Sequence, residues 1–335
     1  MRVFLIAGLI LLLCACQPAP RTHTEESYVF GTRVEVVVWD VPEDKARAAV
    51  GEVLREFDRL HRTYHAWQPS EMTALNDAIA AGKRREVTEE FAGFVREAQA
   101  LSARGDHLFD PGIGAVVKLW GFHDDSFKAQ LPDAATLADL VRKRPSIADL
   151  SVAGNAISSR NPAVALDFGG YLKGVALDRA AGILRRNGIG NALVNIGGNV
   201  MALGSKGGTP WRVGIQNPRQ PTPLATLELR DGEAIGTSGD YQRFFELDGR
   251  RYCHLIDPRT GRPAEGTEAV TVLIPPRPDA GMWSDWASKP IFIAGDAWRP
   301  MADKLGIAQA LRIGSDGKVE MTDAMRARLK LEDRP

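Results

Sequence analysis

The sequence predicts an α+β domain built on mixed and antiparallel sheets with helices alongside. Three observations carry this. Short strand-like stretches gather in the second half, at 211–215, 224–229, 242–247 and 269–274. Asp-Gly pairs at 231–232 and 248–249 supply hairpin turns between such stretches. Helical segments are scattered among the strands and do not alternate with them one for one, as a doubly wound parallel sheet would require.

From the N-terminus, the alternation of "YVFGTRVEVVVWD" (28–40) predicts a half-buried strand. "DKARAAVGEVLREFDRLHRTY" (44–64) repeats apolar residues at three and four and predicts a helix. A second helix is expected over 88–104, opened by Thr88 as N-cap and closed near Gly105. The stretch 161–198 reads as strand, glycine turn, helix and strand.

With 335 residues and 44% hydrophobic content the chain is long enough for a well-buried core. Its 42 basic and 42 acidic residues balance, so no net field draws it to nucleic acid, which is excluded as a partner on this ground. The first residues, "MRVFLIAGLILLLCAC", carry one positive charge and an apolar run over 3–13, too short to span a bilayer comfortably and typical of an export signal. "LCAC" resembles a bacterial lipobox. The expected organisation is a signal peptide over 1–15, a lipid anchor on Cys16, a polar tether over 16–26, a domain over 27–314 and a charged, peripheral tail over 315–335. That places the domain on a membrane facing the periplasm, the outer membrane being one candidate. Cys14 leaves with the signal and Cys16 carries lipid, so Cys253 stands alone in a domain without an internal disulfide.

Four clusters hold glycine and polar groups where a plain core element would have neither. In "GDHLFDPGIGAVVKLWGF" (105–122), Asp110 is either a helix cap or a site residue. In "LDFGGYLKGVALDRAAGIL" (166–184), Gly169, Gly170 and Gly174 let backbone approach a ligand, a helix start offers amides to an anion, and Lys173 adds positive charge. "VNIGGNVMALG" (194–204) and "IGTSGDYQRFF" (235–245) form a third cluster of tight turns. In "YCHLIDPRTGRP" (252–263), His254 on a strand is a core histidine or a general base, while Cys253 points to the other face.

Taken in order, these clusters resemble the ApbE-type FAD:protein FMN transferase family over roughly 27–310. The resemblance rests on "FGT" (30–32), "TYHAWQPSEMTALN" (63–76), "HLFDPGIGAVVKLWGF", "LDFGGYLKGVALDRA", "LVNIGGN", "TSGDYQRFF", "HLIDPRTGRP" and the segment around Asp285. It implies a T-fold-related domain, or two subdomains with the flavin site between them. It further implies binding of FAD, cleavage of its pyrophosphate, transfer of FMN to a Thr or Ser hydroxyl of a partner, release of AMP and a need for magnesium. Related proteins are exported, often as lipoproteins, and modify flavin-carrying subunits of membrane redox complexes. Some hydrolyse FAD instead, and an FAD-binding lipoprotein without catalysis is a third reading.

By position, the resemblance places Phe30, Tyr64, Leu108, Phe109, Asp110, Asp167, Lys173 and Ile256 at the FAD site. Gly170 would offer a carbonyl and Asp285 a carboxylate to the metal, and His254 would accept the proton of the incoming hydroxyl. Two positions depart from the family pattern. Phe30 stands where a methionine is usual, and both are apolar ring-packing residues. Lys289 stands where a threonine would complete the metal site, four residues after Asp285 on a helix. An ammonium only donates hydrogen bonds and cannot ligate a cation. Four arrangements are open: Lys289 replaces the cation, Ser288 turns in as the oxygen ligand with Pro290 shifting the helix start, FAD binds without reacting, or Lys289 points outward.

Overall fold

The computed structural model describes residues 21–124 and 128–331. The expected signal segment, Cys16 and the first part of the tether lie outside the described residues.

In chain order the elements are β1 (Thr22–Val29), β2 (Thr32–Trp39), α1 (Glu43–Thr63), α2 (Glu71–Ala80), β3 (Arg85–Glu86), α3 (Glu89–Arg104), α4 (Gly114–Leu119) and α5 (Ala134–Lys143). Then come β4 (Leu150–Ala153), β5 (Ala156–Ser159), α6 (Leu172–Arg186), β6 (Ala192–Ile196), β7 (Asn199–Leu203), β8 (Trp211–Gln216), β9 (Pro223–Leu229) and β10 (Ala234–Gly239). The chain continues through β11 (Phe244–Leu247), β12 (Arg250–Cys253), β13 (Ile256–Asp257), β14 (Arg262–Pro263), β15 (Thr267–Ile274) and α7 (Ala280–Ile293). It closes with α8 (Trp298–Leu305), β16 (Ala310–Gly314), β17 (Val319–Met321), α9 (Asp323–Arg326) and β18 (Leu329–Leu331).

One sheet dominates. Its eight strands run β1-β2-β6-β7-β10-β15-β16-β17, every neighbour antiparallel. Helices α1, α6 and α7 cover one face, where Val36, Val194, Val270 and Val272 meet Phe57, Leu177 and Trp286. The other face is covered by the three-stranded sheet β18-β9-β8, where Val200, Ile235, Leu273 and Ile313 meet Trp211, Leu227 and Met325. Burial on both sides is why β15 is buried at all eight positions and shows no polar alternation. The architecture is the expected α+β arrangement in a single domain. A smaller cluster of Val116, Trp120, Phe122, Leu137 and Phe245 joins α4 and α5 to the β11-β12 hairpin and forms the far wall of the site.

Several expectations are corrected. The strand expected over 28–40 is a hairpin: Phe30 and Gly31 take φ of 57° and 66°, the left-handed pair that matches the twist of two flanking strands. Its first strand begins at Thr22, so residues 22–26 belong to the sheet and not to a tether. "THTEES" hides this because β1 is an edge strand with alternate residues exposed. The C-terminal segment is not peripheral either: β17 extends the main sheet, Met325 is fully buried, and β18 pairs with β9. The Asp-Gly pair at 248–249 does turn a hairpin, with φ of 51° and 74°, whereas that at 231–232 links β9 to β10 in different sheets. Thr88 caps α3 by accepting the Phe91 N–H at 3.3 Å, as expected.

Helices α6 and α7 cross closely enough to need glycine on both. A Cβ on Gly174 would lie 2.5 Å from the Gly281 carbonyl, and one on Gly281 would lie 2.6 Å from that of Gly174. Gly174 therefore faces a helix and not a ligand. Asp178 of α6 fastens the crossing by accepting the N–H groups of Gly281 and Met282 at 2.7 and 2.8 Å, at the positive end of α7.

Candidate functional site

A cavity of about 850 Å³ opens between the sheet-and-helix body and the wall formed by α4 and the β11-β12 hairpin. Its volume suits a ligand of several hundred daltons. Phe30, Tyr64, Leu108, Phe109, Asp110, Asp167, Gly170, Lys173, His254, Ile256 and Lys289 all line it. Asp285 sits behind Lys289, and Ser288 is turned away from the cavity, so neither lines it.

The two ends of the cavity differ in chemistry. One is aromatic. Phe30, carried in by the β1-β2 turn, sets its ring 6.0 Å from Phe57 and 5.7 Å from His61, and His61 lies 4.9 Å from His65. Trp67 and His123 add a second edge-on pair at 5.9 Å. Planar rings are held on such surfaces by stacking and edge contacts. Tyr64 presents its ring to the cavity, while its hydroxyl donates to Glu90 Oε2 at 2.8 Å.

The other end is cationic, with Lys173, Arg243 and Lys289 around the start of α6. Gly169 and Gly170 keep the approach to this helix start open, and Asp167 accepts the Gly169 N–H at 2.8 Å. Burial pushes the Asp167 carboxyl above its ordinary range, and burial together with the neighbouring Lys289 and Arg243 charges pulls the Lys173 ammonium below its own, against the attraction of Asp285. Such perturbed groups converging on a cleft mark a functional site. Arg243 lines the cavity as well, although the 235–245 cluster gives no residue-level expectation for it. The arginine of "TSGDYQRFF" comes just after the β10 turn and returns into the cavity, which no local periodicity reveals.

Asp110 does something other than cap a helix. Its carboxylate accepts the N–H groups of Gly112 and Ile147, both at 2.8 Å, and the Ser146 hydroxyl at 2.5 Å. It ties the loop before α4 to a distant turn, and Ile113 takes the N-cap position. Burial still raises its pKa against those hydrogen bonds.

His254 lies one residue beyond β12, not on the strand as expected. Its Nδ1 is 3.2 Å from the Arg243 carbonyl oxygen, which only accepts, so Nδ1 carries the proton and Nε2 keeps its lone pair. Burial, then the Arg243 and Lys173 charges, lower its pKa to about 3, and the imidazole is neutral at physiological pH. Cys253 lies outside the cavity, its thiol pushed up to about 12 by burial. The depressed histidine has a stability consequence. Its folded pKa lies below the ordinary histidine value of 6.5, so the unfolded chain binds the proton first. The associated stability is complete above about 6.5 and is lost as pH falls towards 3. Between pH 7 and pH 5 the protein is expected to lose on the order of 2 kcal/mol more than a His254→Gln variant, measured by urea unfolding.

The departure at Lys289 has a definite geometry. Helix α7 continues through Pro290 to Ile293, so the helix does not restart behind the proline. The Lys289 Nζ donates to Asp285 Oδ1 at 2.6 Å and to the Asp285 carbonyl at 2.7 Å. It does not point outward. Asp285 Oδ2 accepts the Gly174 N–H at 2.9 Å, which commits both carboxylate oxygens. Burial opposes ionisation of Asp285, yet the Lys289 and Lys173 charges hold its carboxyl below the usual range. The Ser288 hydroxyl donates to the Asp285 carbonyl at 2.9 Å and meets Ser238 Oγ at 2.8 Å, so it is not turned in as a ligand. Among the described residues no group of three or more His, Cys, Asp or Glu could hold a metal. The expected magnesium set of Gly170, Asp285 and residue 288 or 289 therefore does not fit a divalent cation here.

The model of the ApbE family matches residues 30–311 of this chain. The FAD:protein FMN transferase of Rhodobacter capsulatus is 42% identical over 326 residues, which is 97% of this chain and 61% of that protein. The chain thus spans less than two thirds of the length of that relative. The FAD:protein FMN transferase of Escherichia coli (strain K12) is 30% identical over 296 residues, 83% of each chain. Among solved structures, the ApbE protein of Thermotoga maritima superposes with a TM-score of 0.83 at 28% identity, covering 92% of this chain and 99% of that one. The flavin transferase ApbE of Vibrio cholerae gives 0.80 at 26% identity, with the same coverage. The aromatic and cationic halves of the cavity, and the motifs that build them, thus sit in a fold shared with these proteins, and the chain belongs to the ApbE family.

Proposed function

We propose that the protein is an FAD:protein FMN transferase that attaches FMN through a phosphoester to a Thr or Ser of a partner. The observation that carries this is the two-ended cavity: an aromatic wall for a ring system, a cationic helix start for a pyrophosphate, and a neutral histidine beside it.

The chemistry follows from that arrangement. The acceptor hydroxyl oxygen attacks the phosphorus on the riboflavin side, the bond from that phosphorus to the bridging oxygen breaks, and AMP leaves with the bridging oxygen and its charge. His254 Nε2 takes the hydroxyl proton. Lys173, Arg243 and the α6 amides stabilise the charge on the phosphates. Phe30, Tyr64, Leu108, Phe109 and Ile256 enclose the rings and exclude water. Asp110 and Asp167 hold the loops that shape the floor. Magnesium has no part in this account, because the Asp285 carboxylate it would need is held by Lys289 and the Gly174 N–H.

The partner in this reading is a flavin-carrying subunit of a membrane redox complex, and the domain is exported and tethered to a membrane through lipid on Cys16. Among the described residues no helix is long and apolar enough to cross a membrane. The test is incubation with FAD, with and without threonine-bearing acceptor segments of such subunits. AMP release that requires the acceptor, with flavin fluorescence retained on the acceptor after denaturation, is expected. AMP release without acceptor makes the protein a pyrophosphatase, and bound but intact FAD makes it a carrier.

A further inference from the structure

We propose that Lys289 is the resident cation of this site: its ammonium, held by Asp285, stands where a divalent metal would be and grips the dinucleotide pyrophosphate, so that binding and cleavage proceed without divalent metal. The inference rests on the flavin transferase reading above and deepens it.

Space is the first argument. The Lys289 side chain lies directly against Gly170, where an added Cβ would come within 2.8 Å of Cε and 2.9 Å of Cδ. The stem of the lysine therefore fills the gap between the Gly170 backbone and Asp285, the two groups a metal would need to bridge. Any side chain at 170 would displace the lysine, so the glycine serves this packing as much as it serves ligand approach.

Donors are the second. An ammonium has three N–H bonds, and two of them go to the Asp285 carboxylate and carbonyl. One remains for a phosphate oxygen in the cavity that Lys289 lines. The alternative oxygen ligand is spent, because the Ser288 hydroxyl is turned to Ser238 Oγ and the Asp285 carbonyl. A divalent ion seeking the Asp285 carboxylate would meet an ammonium already 2.6 Å from it, and would have to expel it from a nearly buried position.

Charge is the third. A divalent ion on one carboxylate leaves one net positive charge, whereas Lys289 on Asp285 leaves none. The difference is made up by Lys173 and Arg243, which line the same end of the cavity. A fixed side chain also carries no loading step, so this site is ready at any metal concentration.

The experiment uses the full chain in detergent, stripped with EDTA, with FAD binding read by flavin fluorescence and cleavage by AMP release, each in EDTA and in millimolar magnesium. Wild type is expected to bind and cleave equally, within about twofold, in both. Lys289→Thr is expected to lose at least tenfold in FAD affinity in EDTA and to recover it with magnesium, and magnesium is expected to raise its melting temperature but not that of wild type. Lys289→Gln, which offers a neutral amide of similar length, is expected to lose affinity in both buffers. A wild-type loss of tenfold or more in EDTA overturns the inference while leaving the transferase reading intact. So does a Lys289→Thr protein indifferent to both EDTA and magnesium. Absence of FAD binding by wild type in either buffer overturns the transferase reading itself. If Lys289→Thr fails to fold, the wild-type comparison and Lys289→Gln still decide.

Discussion

Replacing His254 by glutamine is expected to slow flavin transfer by about 10²- to 10⁴-fold, the range contributed by a positioned general base. FAD affinity should change by only a few fold, since the imidazole is neutral and the cations carry the pyrophosphate. A base whose pKa is depressed to about 3 looks poorly matched to this task, but after burial, the largest cause, come the charges of Arg243 and Lys173. An anionic pyrophosphate seated among those side chains offsets them and restores proton affinity to Nε2 when the hydroxyl arrives. Bound FAD should accordingly raise the histidine pKa, which NMR titration of the imidazole measures. AMP release from the variant within threefold of wild type would remove His254 from the reaction.

Asp285→Ala is expected to destabilise the fold by about 3–5 kcal/mol, because it leaves the Lys289 ammonium unpaired in a nearly buried place. The cost has a second source. The Gly174 N–H loses its acceptor at the buried α6-α7 crossing. Asp285→Asn keeps that acceptor and should cost less. A double variant with Lys289→Met should recover part of the loss, since removing both charges is milder than removing one. Urea unfolding of the four proteins measures this. An Asp285→Ala protein within 1 kcal/mol of wild type would mean that the carboxylate and the ammonium are not paired in solution.

Much of this site was legible because its residues are clustered in sequence motifs whose residue types are unusual for a core. Phe30, Lys173, His254 and Lys289 were each placed by such a motif, and all four reach the cavity. What escaped depends on packing between distant segments. Gly174 reads like its neighbours Gly169 and Gly170, and only the partner helix tells them apart. Asp110 precedes a helix, as a cap does, but its partners Ser146 and Ile147 lie far along the chain. Arg243 lies within the third cluster, but nothing local shows that it returns into the cavity. Strands β1 and β18 are edge strands with little apolar alternation, so periodicity is silent about them.

The pairing of β18 with β9 has a consequence for biogenesis. The strand that seals the back of the large sheet comes from the last part of the described chain to be synthesised, and Met325 beside it plugs the apolar layer beneath. Until that part emerges, Trp211, Leu227 and Ile313 have an incomplete cover. A chain cut short before β18 therefore lacks the last piece of this layer, and the exposed edge of β9 stays open to unwanted pairing until residues 325–331 are in place.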